Sequence, residues 1–279
     1  MIRKFIGHDD LNLVGDLWGS NANPLVVLLH GGGQTRHAWG STGQKLEKEG
    51  FQVLALDLRG HGESDWHPDG DYSIDSHKKD IVNILNFLGK PAALVGASLG
   101  GMISLSLAGD VKVGNLCNAL VMVDVGLYPD PHGAEKVVGF MESGAKGFKN
   151  IEAAADAVAN YLPHRKRPRD IKGLKKNLRL KEDGRYYWHW DPLFINRRAS
   201  SYEDYESKQT KAAGDLIVPT LLIRGALSDV LTLKDVKIFL DVVSHAEFKE
   251  IKNAAHMIAG DRNDIFAEAA LSFLQKHSS

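Results

Sequence analysis

The chain has 279 residues, a formal net charge of −1 and one cysteine, enough length for one large α/β domain with an insertion. Balanced charge excludes a global field for nucleic acid or an anionic membrane and points to a small, near-neutral ligand. Lone Cys117 excludes an internal disulfide, the opening MIRKFIGHDD has charges where a signal peptide needs an apolar core, and no apolar segment is long enough to span a bilayer; the expectation is a soluble cytoplasmic protein.

Leu11 to Trp18 alternates apolar and polar residues, which predicts part of an antiparallel sheet edge. Then comes the apolar run Leu25 to His30 (LVVLLH), leading into His30-Gly31-Gly32-Gly33, and after it Gln52 to Asp57 (QVLALD). Ile81, Ile84, Leu85 and Leu88 recur at helical spacing after Ser73, a candidate N-cap, and Gly89 with Pro91 ends that helix. Ala92 to Ala97 stops abruptly in Gly96-Ala97-Ser98-Leu99-Gly100, from which Ser98 to Ala108 reads as a helix, and Ala119 to Asp124 (ALVMVD) is the next run. Strands that are apolar throughout are buried on both faces. Their alternation with helices predicts an α/β fold built on a doubly wound, mostly parallel sheet, with ligands beyond the carboxyl ends of the strands.

The rhythm breaks between about 128 and 213. This stretch is read as a helical cap, with Ile151 to Tyr161 as one helix, dividing the core into 1–127 and 214–279. It holds the aromatic cluster Tyr186-Tyr187-Trp188-His189-Trp190, which can wall an apolar pocket or simply pack cap on base. Its basic run His164-Arg165-Lys166-Arg167 with Arg169 lacks interleaved aromatics and is read as a solvated loop. Beyond the cap, Pro219 to Arg224 is the last long apolar run and leads to a loop presenting Asp229. Glu247 to Ile251 reads as the final strand, followed by His256 and an amphipathic helix.

A G-x-S-x-G turn between strand and helix forces its central residue into strained backbone, which makes Ser98 the candidate nucleophile. The Leu99 N–H then faces the position of an oxyanion, and the glycine loop supplies a second donor, Gly32 ahead of Gly33. His30, at a strand end beside that loop, is read as a structural hydrogen-bonding group. Ser98, Asp229 and His256 follow the chain order of nucleophile, acid and base, each just after a strand. Asp124 is the alternative acid. His245 precedes the last strand and is read as surface.

HGGG at 30 to 33, DLRGHGESD at 57 to 65, GASLGG at 96 to 101, GALSD ending at Asp229, and His256 together resemble the α/β hydrolases, in the subgroup with a helical cap between the sixth and seventh core strands. The resemblance implies two-step acyl transfer: His256 takes the Ser98 proton, Asp229 fixes the imidazole tautomer, Leu99 and Gly32 bind the oxyanion, and water cleaves the acyl-enzyme. It implies no cofactor and no metal, and a small or medium apolar carboxylic ester as substrate. Trp39, Trp188, Trp190 and Gly33 are the candidate binding residues. A carbon–carbon bond hydrolase, a lactonase, a cofactor-free perhydrolase and a ligand receptor are the alternatives the fold also hosts. Oligomeric state is not legible.

Overall fold

A computed structural model describes residues 1–128, 131–161, 171–196, 202–254 and 263–277. His256 and the basic run at 164–169 lie outside the described residues. The strands are β1 (Ile2–Ile6), β2 (Asn12–Trp18), β3 (Leu25–Leu29), β4 (Gln52–Leu56), β5 (Ala92–Ala97), β6 (Cys117–Val123), β7 (Leu178–Leu180), β8 (Tyr186–Trp188), β9 (Thr220–Gly225) and β10 (Glu247–Ile251). Eight of them form one sheet in the order β1-β2-β4-β3-β5-β6-β9-β10, parallel from β4 onward. β2 is antiparallel to both β1 and β4, so the true edge is β1. No strand was expected there, because only Phe5 of its side chains is buried.

The helices are α1 (Gly40–Lys48), α2 (Ile74–Leu88), α3 (Leu99–Ala108), α4 (Pro131–Glu142), α5 (Ile151–Tyr161), α6 (Pro192–Asn196), α7 (Tyr202–Gly214), α8 (Leu233–Val242) and α9 (Asn263–His277). The caps of α2 follow from its ends: Ser73 accepts a hydrogen bond from the Ser76 N–H, and Gly89 takes the left-handed conformation with φ 70°. Alternate strand residues supply two cores. Val27, Leu29, Leu54 and Leu94 pack with Ile84 of α2, Ile103 of α3 and Phe239 of α8. Val26, Leu28, Val53 and Val95 pack with Leu46 of α1 and Phe266 of α9. This is the two-sided burial that apolar runs require. Trp39, expected near the substrate, is instead fully buried in the second core, its ring 5.6 Å from that of Phe266.

Between β6 and β9 the chain leaves the sheet and builds a cap from α4 to α7. The cap is not wholly helical. Its aromatic cluster begins as β8, paired antiparallel with β7. Among the described residues no helix is long and apolar enough to cross a membrane.

The tip of β5 leaves no room for added side chains. A Cβ on Gly96 would stand 2.2 Å from the Gly100 carbonyl oxygen, and one on Gly100 would stand 2.2 Å from that of Leu29. Gly100→Ala is therefore expected to lower stability by about 1–3 kcal/mol. Gly40→Ala, where a Cβ meets nothing within 4 Å, is expected to leave it unchanged or slightly raised. Urea melts of the two variants check the contrast.

Candidate active site

Ser98 sits between the end of β5 and the start of α3 with φ 47° and ψ −113°, a conformation costly for any residue with a side chain. It persists because the surroundings hold it: the Ser98 N–H donates to the Val123 carbonyl of β6 at 3.1 Å, and the Gly100 N–H donates to the His30 carbonyl at 3.1 Å. The turn thus ties β5 to both neighbouring strands, and Ser98 opens onto a cavity of about 430 Å³.

The glycine loop after β3 is the second half of the site. A Cβ on Gly31 would lie 3.4 Å from the Ser98 Cβ, so the loop backbone runs against Ser98. Gly31 donates its N–H to Gln34 Oε1 at 2.9 Å, and Gly33 donates its N–H to His61 Nε2 at 3.2 Å. The Gly33 N–H is thereby engaged. Among the described residues the Gly32 N–H and the Leu99 N–H, at the first position of α3, have no protein acceptor. Two unspent donors beside a strained serine are the arrangement an oxyanion needs.

Three buried histidines hold this loop. His30 Nδ1 meets the Gly31 carbonyl at 2.8 Å and its Nε2 accepts from the Leu58 N–H at 3.0 Å. Burial pushes its pKa down to about 4, so it is neutral with the proton on Nδ1. His61, likewise driven down to about 3 by burial, makes the Gly33 bond, and His189 of the cap accepts from the Gly62 N–H at 2.7 Å. The Phe194 ring of α6 packs on His61 at 4.7 Å and lies against Gly32. The scaffolding by His61 and Phe194 escaped the sequence reading. DLRGHGESD marks the segment but not which of its side chains reaches the glycine loop.

The two acids are in different settings. Asp124, at the tip of β6 with φ 52°, is fully buried; its carboxylate accepts from the Gly225 N–H at 3.0 Å and the Ser228 hydroxyl at 2.5 Å. Asp229 has a side chain 51% exposed and an ion pair with Lys136 of α4 at 2.5 Å. His245 is exposed.

The cap closes the cavity with Val137, Phe140, Val158, Tyr161 and Leu174, together with Trp188 and Trp190. The two tryptophans stack with centroids 5.1 Å apart, are nearly buried, and Trp190 abuts Gly33. They are both wall and packing. A larger cavity of about 760 Å³ between α2, α3 and α7 touches Leu99 but not Ser98, so reactive chemistry belongs to the smaller one. No group of three or more potential metal ligands is found among the described residues.

Comparison with known proteins agrees with this geometry. The alpha/beta hydrolase fold family model matches residues 24–262. The chain belongs to that family. It is 32% identical to esterase Rv0045c of Mycobacterium tuberculosis over 78% of this chain and 71% of the relative. The crystal structure of that esterase superposes with a TM-score of 0.76 over 99% of this chain and 92% of the other, at 26% identity. Bovine protein phosphatase methylesterase 1 is 32% identical over 48% of this chain, a match spanning 36% of that relative. E-2-(acetamidomethylene)succinate hydrolase, at 22% identity and TM-score 0.85 over 99% of both chains, shares the fold. This α/β hydrolase is an enzyme of the esterase type.

Trp190→Ala is expected to change chain-length preference between acetate, butyrate and octanoate esters by roughly 1–3 kcal/mol per methylene-sized contact, with a fall in Tm from the lost stacking. Equal losses across the ester panel would assign the residue to packing alone.

Proposed function

We propose that this hydrolase cleaves carboxylic esters of small to medium apolar substrates through an acyl-enzyme on Ser98. The observation that carries the reading is the strained serine beside two unspent N–H donors, facing a cavity walled by aromatic and aliphatic side chains. In this mechanism Ser98 Oγ attacks the ester carbonyl, and negative charge develops on its oxygen between the Leu99 and Gly32 N–H groups. His256, which follows the last strand in the chain order of a base, takes the serine proton and returns it to the leaving alcohol. Water then repeats the attack on the acyl-enzyme.

Burial bears on the acid. A carboxylate that fixes the tautomer of a catalytic histidine and stabilises the imidazolium acts best where water does not screen it. Asp229 fits the chain order, but its side chain is half exposed and shared with Lys136. Asp124 is fully buried at the end of the strand beside Ser98, where its carboxylate accepts from the Gly225 N–H and the Ser228 hydroxyl. We therefore infer that Asp124 is the acid and that Asp229 links the acid loop to the cap.

Two sets of variants test the reading by steady-state hydrolysis of a short p-nitrophenyl ester. Ser98→Ala is expected to lose about a thousandfold or more in kcat with its Tm retained; activity within tenfold of the parent overturns the nucleophile. Asp124→Asn is expected to cost about a thousandfold, because the amide favours the wrong tautomer, against a few-fold for Asp229→Asn. The reverse ranking returns the acid to Asp229.

A further inference from the structure

The cavity beside Ser98 has two kinds of wall. The cap contributes aliphatic and aromatic side chains, while Gln34, Thr35 and His37 from the loop after β3, with Lys176 and Asn177 from the turn before β7, form a polar wall. No aspartate or glutamate lines the cavity among the described residues. His37 has its pKa lowered, chiefly by burial and then by the Arg36 charge, with Lys176 contributing, so it is neutral at pH 7. Lys176 is thus the one fully charged lining side chain among the described residues. It also borders a smaller cleft that holds Asp57 and Glu63, but Arg36 engages both of those carboxylates. Lys176 has no carboxylate within salt-bridge distance among the described residues. Beside it, the Asn177 side-chain oxygen accepts from the Thr35 hydroxyl at 3.2 Å, which leaves the amide NH₂ as a further donor.

An apolar cavity with a few placed polar groups takes its specificity from those groups. Here they comprise an ammonium and an amide donor with no opposing acid, which disfavours a cationic substrate and favours an anionic one. We propose that the preferred ester ends in a carboxylate remote from the scissile bond, and that Lys176 with Asn177 binds it. This deepens the ester-hydrolase reading and rests on it.

The test pairs esters that differ only in that terminal charge: monoethyl esters of four- to eight-carbon dicarboxylic acids against ethyl esters of monocarboxylic acids of equal length, and acetates of ω-hydroxy acids against acetates of n-alcohols. At one chain length or more, kcat/KM for the anionic member is expected to exceed that of its neutral partner by about tenfold. The ratio is expected to collapse in Lys176→Gln, to survive largely in Lys176→Arg, and to shrink at high salt. A second readout needs no turnover: free adipate is expected to raise the Tm of Ser98→Ala, and to lose that effect when Lys176→Gln is added. Neutral esters preferred at every length, or a ratio unchanged in Lys176→Gln, overturns the proposal while leaving the esterase reading intact. Absence of ester turnover with the adipate shift retained overturns the esterase reading and leaves the anion site; absence of both overturns both.

Discussion

The close approach of β5, α3 and β3 at two points of bare backbone is the constraint on which the rest of the structure depends. Ser98 can hold φ 47° only because Gly96 and Gly100 leave room for carbonyls that a Cβ would strike at 2.2 Å. This turn sets Ser98 at the cavity and starts α3 at the adjoining Leu99 N–H. In the proposed mechanism nucleophile and oxyanion donor thus come from one turn, and their relative position is set by covalent geometry rather than by side-chain packing.

The Gly32 N–H has no such covalent link and is placed by burial. The glycine loop has little side-chain mass to pack, so hydrogen bonds to His30, Gln34 and His61 define it. Both histidines are held neutral by desolvation, and a neutral ring can offer one donor and one acceptor at once. The cap completes this support through His189 on Gly62 and Phe194 on His61. A change in cap packing therefore reaches the glycine loop through two side chains, which couples the part that walls the cavity to the loop beside Ser98.

The core strands and the strained turn at Ser98 were legible in the sequence because both depend on local pattern. Apolar runs such as LVVLL have no other stable home than a sheet covered on both faces, and the glycines around Ser98 mark a backbone that excludes side chains. Trp39 was not legible: an aromatic six residues beyond a glycine loop can face the cavity or the core, and only the packing of α9 decides. The β7–β8 hairpin has strands of three residues, too short for alternation to register. The setting of the two candidate acids is the subtler case. Asp124 and Asp229 both follow strands, and burial, which separates them, is a property of how β6 and β9 pair and not of either segment alone.

The central claim is that one side chain, Ser98, is the reactive nucleophile of this fold. Reaction of the folded protein with an alkyl fluorophosphonate, followed by peptide mass spectrometry, tests it directly, because the reagent bonds to an activated serine with loss of fluoride. One adduct per chain on the peptide containing Ser98, lost on prior unfolding, is the predicted result. An adduct confined to another residue, or an unmodified Ser98 in folded protein at saturating reagent, would contradict the account.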